Sequence, residues 1–264
     1  MDFGMPTLIE NKNLEENVFL CKELGLQFVE LNMNFPMYQV PQLEETVYLK
    51  NLAQENGIYF TIHLDENLNV CDFNPLVADA YMETVERMLI AAAEMDAPLL
   101  NMHMNHGIKV TLPDRKVHLF GEYRNVYMEN FMRFREMCEK TAGDSGVKIC
   151  IENTDGYQDF EREAIDYLLQ SEMFALTWDI GHSHACENVD EPFLMQRKDR
   201  LYHFHIHDAK GTGNHRTLGS GEINLAQRIG LAQSAGCRCV VETKTIEALR
   251  QSVAWLRDKG YLRA

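Results

Sequence analysis

Seven positions where short apolar runs of the chain end carry ionisable residues: Glu30, His63, His103, Glu152, Asp179, His205 or His207, and Glu242. A strand packed under helices would carry Val or Ile there, so all of them break the local pattern at the same place. Brought to one rim, they crowd within a few Å. Carboxylates so placed do not all stay ionised unless a cation neutralises them, and a divalent metal is the economical solution. Glu152, Asp179, His205 and Glu242 offer three carboxylates and one imidazole. Such an oxygen-rich set suits Mn2+ first, with Mg2+, Co2+ and Zn2+ as alternatives. His63 and His103, with Glu152 bridging, supply donors for a second, more zinc-like ion. Other histidines read as structural. In YHFHIHDAK, His203 shares a period-two face with His205 and His207 but lies deeper. His106, His118 and His184 read as loop or surface residues, and Glu30 either caps a loop backbone or binds substrate hydroxyls.

The elements that must position these groups recur regularly. β-rich runs begin near residues 2, 28, 58, 98, 148, 175, 202 and 238. The usual step is close to the ~30 residues of one βα unit. Between them lie helical patterns over 14–24, 43–56, 75–95, 122–142, 161–170, 191–199, 223–235 and 244–259. Several stop at glycine: Gly25, Gly57, Gly143, Gly236 and Gly260. Strict alternation without linker or repeat predicts one α/β domain over 1–264, and eight units close into a single (β/α)8 TIM barrel. An open doubly wound sheet is the competitor, but no GxGxxG follows the first run. Strand C-termini of a barrel converge on the rim where catalysis occurs. One connection, residues 104–121, exceeds the ~12–15 residues of an ordinary loop and reads as a functional lid or a binding loop.

Composition narrows the function. Lys+Arg is 25 and Asp+Glu is 40, a net charge of −15. Nucleic acids and anionic membranes both want a basic face, so neither is the expected partner. No run reaches the ~18 apolar residues of a membrane span. The seven cysteines are scattered and form no CxxC pair, as expected of reduced thiols in a cytoplasmic protein.

Five segments together resemble a known family. They are ICIEN (149–153), WDIGHSHA (178–185), FHIHDAK (204–210), RTLGSGEI (216–223) and VVET (240–243). In that order they resemble the xylose isomerase-like barrel superfamily of sugar isomerases and epimerases, inosose dehydratases and endonuclease IV. The resemblance implies one divalent ion held by Glu152, Asp179, His205 and Glu242. It makes the two glutamates the proton-transfer pair and His182 a substrate contact. Glu30, His63, His103, Lys210 and His215 complete the expected substrate-binding set. Ketose 3-epimerases place an arginine six residues after the metal histidine. Here that position is Gly211, and Arg216 substitutes only if its loop folds back.

The expected function is a divalent-metal-dependent isomerase or epimerase of a sugar, sugar phosphate or inosose. The metal acts as a Lewis acid on a carbonyl and its neighbouring hydroxyl and stabilises an enediolate. One of Glu152 and Glu242 removes the α-proton, the other returns one, and His182 positions the oxygen. Two alternatives stand beside it. An endonuclease IV-like nuclease would use three zincs, but an aspartate expected two residues before His215 is Gly213. A partner-dependent sugar-binding subunit would keep the ion for structure only. The expected partner is a small carbohydrate or polyol, and association of identical chains stays open. The LGSGE turn reads either as a phosphate cradle or as a helix cap built on Ser220.

Overall fold

The computed structural model describes residues 1–263. The first half runs β1 (Phe3–Pro6), α1 (Leu14–Glu23), β2 (Phe28–Asn32), a short α2 (Val40–Leu43), α3 (Thr46–Asn56), β3 (Tyr59–His63), α4 (Pro75–Glu94) and β4 (Leu99–His103). A hairpin of β5 (Lys109–Thr111) and β6 (Lys116–His118) follows, then α5 (Leu119–Glu122) and α6 (Arg124–Ala142). The second half runs β7 (Lys148–Glu152), α7 (Asp159–Leu168), β8 (Phe174–Asp179), α8 (Ile180–Ala185), α9 (Glu191–Gln196) and β9 (Leu201–Ile206). It ends with a hairpin of β10 (Asp208–Lys210) and β11 (Gly213–Arg216), then α10 (Leu225–Ser234), β12 (Arg238–Val241) and α11 (Ile246–Asp258).

Eight strands close into a parallel barrel in the order β1, β12, β9, β8, β7, β4, β3, β2. This is the single (β/α)8 TIM barrel that the alternation predicts. Helix starts follow the local chemistry. Asn74 caps α4 ahead of Pro75 and accepts the Leu76 N–H, while Gln158 and Glu161 form a reciprocal capping box at α7. One expectation needs correction. The pattern over 43–56 splits, because α2 ends at Leu43 and α3 starts at Thr46. α6 ends at Ala142, before Gly143 as expected, though with Gly143 at φ −55° and not in a left-handed turn.

The barrel interior is polar towards the rim. Thr61 donates to Glu30 (3.0 Å), Thr177 donates to Asn101 (2.5 Å), and Asn101 donates to Glu152. Apolar packing lies outside this column, between strands and helices, where Phe134, Phe174, Ile165 and Val253 are fully buried. The long connection after β4 is not structureless: it contains the β5–β6 hairpin. Among the described residues no helix is long and apolar enough to cross a membrane.

Candidate active site

Glu152 closes β7, Asp179 closes β8, His205 stands one residue before the end of β9, and Glu242 follows β12 directly. Donor atoms of all four lie within 4.8 Å of one another, and all four residues are buried. His205 is the hub. Its Nδ1 is 3.1 Å from Glu152 Oε1, 3.2 Å from Glu242 Oε2 and 3.9 Å from Asp179 Oδ2. Burial alone would raise the carboxyls of Glu152 and Glu242, but the His205 imidazole holds both well below the usual range. Glu242 Oε2 is buried without a hydrogen-bond partner. Three anions, one imidazole and an unpartnered oxygen turned inward fit a divalent cation, and their oxygen-rich chemistry fits a hard one.

The surrounding residues fix these side chains. Asp179 caps α8: its Oδ1 accepts the His182 N–H at 2.6 Å. Its main chain is clasped by Asn153, which accepts the Asp179 N–H (2.9 Å) and donates to the Asp179 carbonyl (3.0 Å). Ser183 Oγ receives Asn153 and the Trp178 indole N–H, so the WDIGHS segment locks onto the glutamate strand. Glu30 is corrected here. β2 continues to Asn32, so Glu30 lies below the rim, 1% exposed. Its carboxylate meets Thr61, His203 (3.0 Å) and the His205 Nε2 edge (2.9 Å), leaving nothing for substrate or a loop backbone. His203 is structural, as its depth implied.

Above the cluster opens a cavity of 690 Å3 lined by His63, His103, His182, His215, Glu242 and Lys244, among others. His63 and His103 approach the same Glu152 Oε2, at 3.4 and 3.1 Å. His63 Nδ1 faces the Leu64 carbonyl at 2.8 Å, the backing usual for a metal-ligating imidazole. The convergent group, however, is His63, Glu152 and His205, with His103 outside it. The expected second set is therefore only partly assembled. Lys210 and Arg216 are exposed on the β10–β11 hairpin and do not line the cavity. Lys244 does, and sequence reasoning missed it: its Nζ is 2.8 Å from Glu242 Oε1.

The LGSGE turn is neither a phosphate cradle nor a cap built on Ser220. Asp208 already fills it. Gly219 and Gly221 donate their N–H groups to Asp208 Oδ2 (3.0 and 2.8 Å), and Ile223 and Ala209 donate to Oδ1 (3.2 and 2.9 Å). A Cβ on Gly221 would stand 2.4 Å from Asp208 Oδ1, which explains the glycine. The cap of α10 is Asn224.

His106 lies in the loop after β4, as expected, but it also lines the cavity and pins that loop, with Nδ1 2.7 Å from Glu161 and Nε2 bonded to Asp155. Two acceptors require both ring protons. The bonds to Asp155 and Glu161 hold the His106 pKa up at about 10 despite burial. The bond from His106 holds Asp155 down at about 2. A raised histidine stabilises fully below its free value of 6.5, and that share is lost as pH rises through about 10. Proteolytic cleavage within 104–118 should therefore quicken between pH 6.5 and 10. His106→Gln should cleave quickly at every pH; a pH-independent wild type would refute the latch.

Comparison with known proteins places the chain. The family model described as a xylose isomerase-like TIM barrel matches residues 18–259. The chain belongs to this family. It is 25% identical over 237 residues to an uncharacterized protein of Methanocaldococcus jannaschii, covering 85% of each. A D-tagatose 3-epimerase-like protein superposes with a TM-score of 0.78 at 21% identity, over 98% of this chain and 96% of the other. The 3-keto-D-glucoside 4-epimerase YcjR from E. coli gives 0.75 at 18% identity, over 98% and 99%. At these identities the structural likeness establishes the shared barrel, and the function of this family member has to be argued from its own site.

Proposed function

We propose that the protein is a divalent-metal-dependent isomerase or epimerase acting on an unphosphorylated polyhydroxy carbonyl compound through an enediolate. The observation that carries this reading is the pair Glu152 and Glu242, two carboxylates meeting across one His205 imidazole at the floor of an open polar cavity. Glu152, Asp179, His205 and Glu242 would hold the ion, Mn2+ first in preference, which supplies Lewis-acid polarisation of the substrate oxygens.

Glu242 faces the cavity and is the group that removes the α-proton. Lys244 on its other oxygen keeps it anionic. Glu152 is buried deeper; a solvent proton passed to it from the cavity-lining His103, 3.1 Å away, is the one it returns to the enediolate, while Glu242 releases the abstracted proton to solvent. His182 Nδ1 is unpartnered and 3.4 Å from Asp179 Oδ2, poised to orient a substrate oxygen beside the cluster. His63, His103 and His215 offer imidazole donors to hydroxyls around the wall. A neutral substrate is supported on two grounds. The glycine turn after β9, one part of the usual barrel phosphate position, is taken by Asp208, and among the described lining residues Lys244 is the only lysine or arginine, already paired. Cysteines that are buried at six of seven positions suit a reducing compartment, and we place the protein in the cytoplasm.

One observation favours the nuclease reading: donor atoms of His182, His207 and His215 also lie within 4.8 Å of one another. Against it, both ring nitrogens of His207 are engaged by Asp179 and the His215 N–H, and a charge of −15 repels DNA. Incubating the Mn2+-loaded protein in D2O with a panel of free ketoses, aldoses and inososes separates the readings. Deuterium entering the carbon beside a carbonyl is expected, with phosphate esters at least tenfold poorer substrates and no nicking of abasic DNA. Robust nicking without exchange would promote the nuclease; full ion occupancy without either activity would favour the sugar-binding subunit.

A further inference from the structure

We propose that His207 is a positioning residue that aims the Asp179 carboxylate at the ion, that the backbone of His215 holds it in the one tautomer able to do so, and that Gly181 leaves the room its ring needs. The inference rests on reading Asp179 as a metal ligand and extends it to His207, Gly181 and the main chain of His215.

His207 is fully buried. The main-chain N–H of His215 points at its Nδ1 from 2.8 Å. A backbone amide only donates, so Nδ1 carries the lone pair and Nε2 carries the hydrogen. The Asp208 carbonyl, 3.4 Å from the same Nδ1, is the more distant neighbour and would demand the opposite tautomer. With the proton fixed on Nε2, the ring donates to Asp179 Oδ2 at 3.0 Å. Asp179 is then held at both oxygens, Oδ1 by the His182 N–H and Oδ2 by His207. Oδ2 keeps a second lone pair, with His182 Nδ1 3.4 Å and His205 Nδ1 3.9 Å away, inside the cluster formed with Glu152 and Glu242.

Two unusual backbone features serve this contact. His215 is a non-glycine residue with φ of +51°, a left-handed conformation that costs of order 1 kcal/mol, and it lies on the hairpin that delivers its N–H to the ring. Gly181, in the first turn of α8, lies flat against the same ring. A Cβ there would stand 1.9 Å from His207 Cε1 and 2.1 Å from Nδ1. The His215 ring stacks on the remaining face of His207, centroids 4.2 Å apart at 26°. The imidazole thus has one orientation, and any Cβ at 181 must displace it.

Partners of ligating groups typically contribute 10–100-fold to metal affinity. The test is Co2+ binding to metal-stripped protein, followed by visible absorption, for the wild type and His207→Leu, His207→Gln and Gly181→Ala, each with a circular-dichroism melt. His207→Leu is expected to bind Co2+ ten- to a hundredfold more weakly, with a changed absorption band as Asp179 swings away. His207→Gln, which restores an N–H donor, should recover affinity to within about threefold of wild type. Gly181→Ala alters no polar group and should still lose at least tenfold. If His207→Leu fails to fold, the other two variants decide. Folded Gly181→Ala and His207→Leu proteins with wild-type affinity and spectra would overturn the proposal. A wild type that takes up no Co2+ would instead overturn the metal reading beneath it.

Discussion

Glu242→Gln should slow deuterium exchange into a keto sugar by a factor of about 10²–10⁴, the usual contribution of a positioned acid–base group. Glutamine keeps the size of the side chain and its contact with Lys244 but cannot accept the α-proton. The variant also loses an anionic ion ligand, so exchange should be read at saturating Mn2+, where the residual defect belongs to proton transfer. The Lys244 pair is part-exposed and contributes little to stability, so the melting temperature should barely move. Glu152→Gln should show a comparable loss of exchange and, unlike Glu242→Gln, a lower melting temperature. Its carboxylate accepts from Asn101, His103 and His205 in a buried setting, and an amide would turn an N–H2 towards donors. The measurement is proton NMR of the substrate in D2O. Exchange within threefold of wild type in Glu242→Gln would remove it from proton transfer and leave Glu152 as the base.

The strand-end residues were legible in the sequence because an apolar run that ends in a charge is visible without knowing the fold. That rule finds Glu152, Asp179, His205 and Glu242, and the structure brings their donors together. It misjudges Glu30 because the run does not show where the strand stops: two further residues, Leu31 and Asn32, remain in β2 and put Glu30 a layer deeper. Lys244 carries no such signal, since one lysine after a strand looks like any surface lysine. His106 is missed for a different reason. Its partners Asp155 and Glu161 are 49 and 55 residues away, and nothing local announces the pairing. His207 was legible as the alternative to His205 at the end of β9, but its bond to Asp179 depends on a tautomer set by a hairpin eight residues on.

Asp208 makes the same point about long-range partners, and its replacement should give the largest stability loss outside the hydrophobic core. The glycine turn looked like an anion cradle because it is one, and the anion comes from the chain itself, 11 residues before Gly219. Asp208→Ala would leave four main-chain N–H groups without their acceptor, in a setting where Asp208 itself is 1% exposed. At roughly 1–3 kcal/mol for each buried group left unsatisfied, and with water reaching some of them, a loss of about 3 kcal/mol is expected. For a domain of this size that corresponds to a fall in melting temperature of roughly 6–12 °C. Asp208→Asn should recover only part, because one face of the amide presents N–H to Gly219 and Gly221 or to Ile223 and Ala209. The emptied cradle should also gain what the native chain denies it: inorganic phosphate should raise the melting temperature of Asp208→Ala more than chloride of equal ionic strength, and should not do so for the wild type. A melting temperature within 2 °C of wild type for Asp208→Ala would mean the turn holds itself. The turn would then be open to a substrate phosphate as well.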